Sequence, residues 1–185
     1  MKKTIIGAIV GGIIIFAWQF LSWGPLNLHE AQQKYTPKQD SILSYLGSQF
    51  SEDGAFMLPG FPPGTTSDEM EKQMKNMEGK PWAQVVYHTA MPGMNKMYMN
   101  MGRGLLVNIF IVWLLCWLLT KISTPSFGII FWGSIGTGVI VFLNACYTQH
   151  IWYGSFDLMA HFLDAILTWG VTGIWLGWWL RRGMN

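Results

Sequence analysis

Four apolar stretches, each about long enough to cross a bilayer, constrain this chain more than any other feature of it. They are Thr4–Trp23, Gly104–Thr120, Phe127–Tyr147 and Leu158–Leu180. At a helical rise of about 1.5 Å per residue, each spans or nearly spans a hydrocarbon core of about 30 Å. Gly104–Thr120 is the shortest, and its helix is expected to begin earlier, near Met94.

The charges are segregated in the way such stretches require. Only 12% of the residues are charged, against about 25% in soluble domains. Eight of the ten acids lie between Glu30 and Glu78, and the other two are Asp157 and Asp164. A net charge of +2, with no basic run and no RNA-binding signature, argues against a nucleic-acid partner. Lys2 and Lys3 precede the first stretch, Lys121 lies between the second and third, and Arg181 and Arg182 follow the fourth. By the positive-inside rule these belong on the cytoplasmic side, which leaves residues 24–103 and a short loop at 148–156 outside. The first stretch begins like a secretory signal but continues through Phe16, Trp18 and Phe20 with no small-x-small cleavage site after it. It reads as a retained anchor. The expected fold is therefore all-α transmembrane: a four-helix bundle in a bacterial cytoplasmic membrane, with a small α+β extracytoplasmic cap at 24–103.

Within the cap, Thr36-Pro37 has the form of a helix start, with Thr36 as the capping residue. Ile42, Leu43, Leu46 and Phe50 follow as an apolar stripe at helical spacing. Thr66 and Glu69 fit a capping box for a second helix running to about Asn76. Trp82–Thr89 reads as a strand that pairs with Ala55–Leu58. The segment has no cysteine; Cys116 and Cys146 lie near opposite ends of their spans, too far apart in depth to bond.

Nine of the twelve methionines fall in 24–103. Met94, Met97 and Met101 share one helical face, with His88 close by in sequence. Thioethers select Cu(I), so these four are the candidate metal ligands and copper the metal they would take. No other cofactor is expected. The alternative is that unbranched methionines fill gaps under a small cap or form an adaptable contact surface.

Asp157, His161 and Asp164 recur at i, i+4 and i+7, which stacks them on one face of the last helix. Ionisable groups at membrane depth cost a few kcal/mol or more and usually face a protein interior. Gln19, Asn108, Asn144 and His161 each lie three or four residues inside the outer end of their span. All four helices thus place a polar side chain about 5 to 6 Å below the outer boundary. His29, Glu30 and His150 sit just above this layer. A bundle turns it into an outward-opening polar pocket floored by Asp164. The competing account is interhelical hydrogen-bond glue, worth about 1 kcal/mol per bond. Small residues four apart, at Gly7 and Gly11, Ser134 and Gly138, and Gly173 and Gly177, allow close helix approach.

The Lys2-Lys3 anchor, the Pro-Gly rich cap and the Trp152-Tyr153-Gly154 turn before an acidic last helix carry a resemblance. In these features the chain resembles small four-helix bacterial inner-membrane proteins with one extracytoplasmic cap. The resemblance implies an architecture and no activity.

Three classes of function fit. The first is an accessory, assembly or interaction subunit of a larger membrane complex, its partners being the bilayer and other membrane subunits or further copies of the chain. The second is a small proton-coupled transporter or relay using Asp157, His161 and Asp164. The third is a metal-handling protein, with His161 and the two aspartates, or the methionines, as ligands. No nucleophile elbow, phosphate loop, zinc-protease or haem-attachment motif is present, so the sequence leans away from an enzyme.

Overall fold

A computed structural model describes residues 2–182. Four helices in it are long and apolar enough to cross a membrane. These are α1 (Lys2–Trp23), α4 (Met94–Leu119), the continuous helical stretch Phe127–Tyr153, and α7 (Leu158–Arg181). The remaining elements are α2 (Gln39–Gln49), β1 (Gly54–Leu58), α3 (Ser67–Met77) and β2 (Ala83–Tyr87). The third long helix is composite: α5 (Phe127–Val141), a π-helical segment at Phe142–Tyr147, then α6 (Thr148–Tyr153). It overruns the loop expected from residue 148. Nothing between Thr148 and Tyr153 breaks a helix, and Gly154, at φ 65°, is the first residue suited to a left-handed cap.

The chain divides into two compact units, one of which is Tyr35–Pro92. In the other, which holds all four long helices, the order across the bundle is α4, α1, α7, α5. Each neighbour runs antiparallel to the next, because Gly12 meets Ile109, Gly7 meets Leu176 and Gly138 meets Trp169. The small-residue pairs seen in the sequence lie at these contacts. A Cβ at Gly12 would stand 2.6 Å from the Cα of Ile109, and one at Gly138 would stand 2.7 Å from the carbonyl oxygen of Ala165. Only glycine permits either approach. Indole N–H groups reinforce the α1–α7 seam: Trp179 donates to the Lys3 carbonyl at 2.9 Å and Trp175 to that of Gly7 at 3.3 Å. Ala8, Ile15, Val112, Leu115, Cys116, Ile130 and Leu176 form the buried core. Cys116 and Cys146 are both free thiols.

In the Tyr35–Pro92 unit, β1 and β2 pair antiparallel with Phe56 opposite Val85. The capping box is present in both halves: Thr66 Oγ1 accepts from the Glu69 N–H, and Glu69 accepts from the Thr66 N–H at 3.0 Å. The expected cap at Thr36 is displaced. Lys38 occupies that position, Thr36 Oγ1 accepts from the Lys38 N–H, and a turn through Pro37 delays the α-helix to Gln39. Beyond the strands, Asp53 accepts from the Thr89 N–H at 2.9 Å and its hydroxyl at 2.7 Å, and pairs with His88 at 3.1 Å. These bonds, the Thr89 N–H first, hold the Asp53 carboxyl well below the usual carboxylate range. A depressed pKa adds stability that is fully present above the ordinary aspartate value of about 3.9 and lost on acidification below it. An NMR titration is expected to place the Asp53 midpoint clearly below that value, with the Thr89 amide losing exchange protection over the same range. A midpoint near 3.9 would show that the bonds do not form.

Candidate functional site

Two parts of the sequence far apart in the chain build the site. On α1, Trp18 and Ser22 are four residues apart and so share one face, the one turned toward α7. Both donate to the same oxygen: Trp18 Nε1 lies 2.8 Å and Ser22 Oγ 2.7 Å from Oδ1 of Asp164. After Trp23 the chain folds back over the end of α1. The Leu26 N–H donates to Leu21, that of Leu28 donates to Ser22, and Asn27 takes a positive φ of 46°. Asparagine tolerates that conformation better than most residues. The fold-back lays the His29 ring flat on Trp23, with centroids 3.8 Å apart and planes within 5°.

His29 is thereby clamped between two carboxylates. Its Nδ1 lies 2.7 Å from Asp157 Oδ2 and its Nε2 lies 3.0 Å from Asp164 Oδ2. His161 Nε2 reaches the same Asp157 oxygen at 3.2 Å, one helical turn along α7. The side chains of His29 and Asp157 are each 1% exposed, against 16% for Asp164 and 28% for His161. Asp157 occupies the N-cap position of α7 without capping it; its carboxylate still lies at the positive end of the helix dipole.

The two His29–carboxylate hydrogen bonds each need one proton, while His161 meets Asp157 at ion-pair distance only. His29 touches carboxylates through both nitrogens. It either carries both protons as imidazolium or faces one protonated carboxyl. The cluster is sealed from solvent at His29 and Asp157. On the other side lies a cavity of about 230 Å³ whose lining includes Gln19, Trp23, Cys146, His161, Asp164 and Thr168. Asp157 Oδ1 is buried with no hydrogen-bond partner among the described residues. One ligand atom each from His29, Asp157 and His161 lie within 4.8 Å of one another, a group that could hold a metal ion.

The other candidate residues separate. Asn108 is buried and donates to Gln19 Oε1 at 2.8 Å, tying α4 to α1 beside the cavity. Asn144 is exposed, and among the described residues its side chain makes no hydrogen bond. It lies in the π-helical segment, from which Phe142 and Cys146 line the cavity. His150 closes the turn after α6 by contacting the Ser155 carbonyl at 3.0 Å. Glu30 opens a short 3-10 turn. Met94, Met97 and Met101 are exposed on the first turns of α4, and His88 is engaged by Asp53. Trp18, Ser22 and the stacking role of Trp23 escaped the sequence reading. The signal for the first two was the stripe Gly11, Ile15, Trp18 and Ser22, which continues the close-packing face of α1.

No family model matches this chain, and neither curated proteins nor solved structures provide a match.

Proposed function

We propose that this is an integral membrane protein that moves protons through the Asp157–His29–Asp164–His161 cluster, as a small proton relay. The observation that carries the reading is His29, buried and bonded on both sides to carboxylates from the last helix. Carboxylate–histidine chains are the usual proton carriers within membranes, and unpartnered apolar packing would be a cheaper way to join helices. The four apolar helices support insertion in a bilayer. Lys2, Lys3, Lys121, Arg181 and Arg182 support a cytoplasmic position for both chain ends in a bacterial inner membrane. Lys121 and Arg182 also lie over Trp117 and Trp178, at 5.0 and 4.4 Å, as residues at a membrane interface commonly do. Residues 24–103 would then lie outside, as the cap.

The test is proton flux into vesicles containing the purified protein and an internal pH dye. Wild type is expected to dissipate an imposed pH gradient faster than empty vesicles, and Asp164→Asn to bring the rate back to theirs. Folded wild type that matches empty vesicles refutes the reading. A second reading, an accessory or assembly subunit, draws support from one surface feature of the Tyr35–Pro92 unit. Met57, Phe61, Met74, Met77 and Trp82 line an open groove there, and flexible methionines suit adaptable docking. Native mass spectrometry in mild detergent separates the two, since a subunit travels with larger partners.

A further inference from the structure

We infer that the cluster is also the seat of a single divalent metal ion of the zinc class, held by His29, Asp157 and His161. The inference rests on the cluster being the working site, and names the kind of ion that site takes besides protons. Three independent features converge on it.

The first is spacing. Two ligands bonded to a tetrahedral zinc ion at about 2.0–2.1 Å stand about 3.3 Å apart. His161 Nε2 and His29 Nδ1 stand 3.2 and 2.7 Å from Asp157 Oδ2. The Asp157–His161 pair already has that spacing, the Asp157–His29 pair is about 0.6 Å short of it, and the three ligand atoms all lie within 4.8 Å of one another, so modest side-chain shifts admit an ion.

The second is the Asp157 oxygen that has no partner. Oδ2 bonds to His29 and lies 3.2 Å from His161 Nε2, while Oδ1, also buried, has no partner among the described residues. A buried acceptor left empty costs about 1–3 kcal/mol, more when charged. A cation grasped by both oxygens of the carboxylate removes that cost, whereas a purely structural hydrogen-bonded cluster leaves it standing.

The third is the support behind His29. Metal-bound histidine almost always donates its other N–H to a carboxylate, backbone carbonyl or water, which fixes the ring and raises its basicity. With Nδ1 turned to Asp157, His29 presents Nε2 to Asp164 Oδ2 at 3.0 Å. Asp164 is in turn fixed by Trp18 and Ser22, and the ring is held flat by Trp23. Asp164 is thus a positioning residue for a metal-bound His29. Two imidazoles and a carboxylate suit zinc, and no thioether joins them as Cu(I) would prefer. His161 borders the cavity, which provides a path of entry and room for a water or exchanging ligand at the fourth position.

The experiment uses the full chain, purified in detergent, stripped with chelator and dialysed against Zn²⁺, with Mg²⁺ as the control. Wild type is expected to retain one zinc per chain and no magnesium. His161→Gln and Asp157→Asn should lose it, while Asp164→Asn should weaken affinity by about 10–100-fold. Co²⁺ in place of zinc should give the visible absorption of a four-coordinate N/O site, altered in Asp164→Asn. His161 is the most exposed of the four, so His161→Gln carries the test should Asp157→Asn fail to fold. Folded wild type that binds no stoichiometric zinc overturns the inference, as does zinc binding that His161→Gln leaves unchanged. Zinc binding without proton flux rejects proton transport alone, and flux without zinc binding rejects the metal site alone.

Discussion

His29→Ala is expected to destabilise the protein by about 3–5 kcal/mol, the usual cost of removing one member of a buried charged set. The substitution removes the donor shared by Asp157 and Asp164, leaving Asp157 with only the His161 ion-pair contact and with one oxygen already unpartnered. Neither His29 nor Asp157 can turn to solvent, because both side chains are sealed. His29→Ala combined with Asp157→Leu should recover part of the loss, since the carboxylate that lost its hydrogen-bond donor goes too. Asp164→Asn is expected to be much milder: its carbonyl oxygen still accepts from Trp18 and Ser22, and its amide meets His29 once the imidazole changes tautomer. Reversible unfolding in detergent, read as a double-mutant cycle, checks all three. A His29→Ala variant as stable as wild type would mean that the clamp does not exist.

Gly12→Ala is expected to force α1 and α4 apart, at a cost of about 1–3 kcal/mol. The added Cβ would stand 2.5 Å from Ile109 Cγ1, 2.6 Å from its Cα and 2.7 Å from its N. A side chain could rotate away from a new methyl group; a backbone cannot. The bond between Asn108 and Gln19 spans the same seam and should lengthen with it. Gly136→Ala is the control: it lies on α5, and a Cβ there meets nothing within 4 Å. Helix propensity alone then makes alanine neutral or better, by up to about 1 kcal/mol. Equal unfolding midpoints for Gly12→Ala and Gly136→Ala would contradict the observed helix spacing.

Much of the architecture was readable from local pattern. Residue spacing within one element placed Asp157 beside His161, Thr66 beside Glu69, and the small residues of α1, α5 and α7 on the faces that meet. Composition alone marked four helices of membrane-spanning length. Such features follow from the helical repeat and from the chemistry of a few neighbouring residues, so a linear string contains them.

The centre of the site was not readable in that way. His29 enters it only because residues after Trp23 double back through Asn27, a choice made by packing against α1 and α7. Trp18 and Ser22 bind Asp164 because α1 lies against α7, across more than 140 positions of chain. Asn144 lies at the expected depth but on a different face from Phe142 and Cys146, the residues of that segment that line the cavity. The sequence by itself determined the helices, their apolar faces and the row of ionisable groups on the last one, since each depends on short-range periodicity. Only the tertiary structure decided which histidine those acids hold, because contacts between distant segments depend on how whole helices pack, and periodicity within a segment carries no record of that.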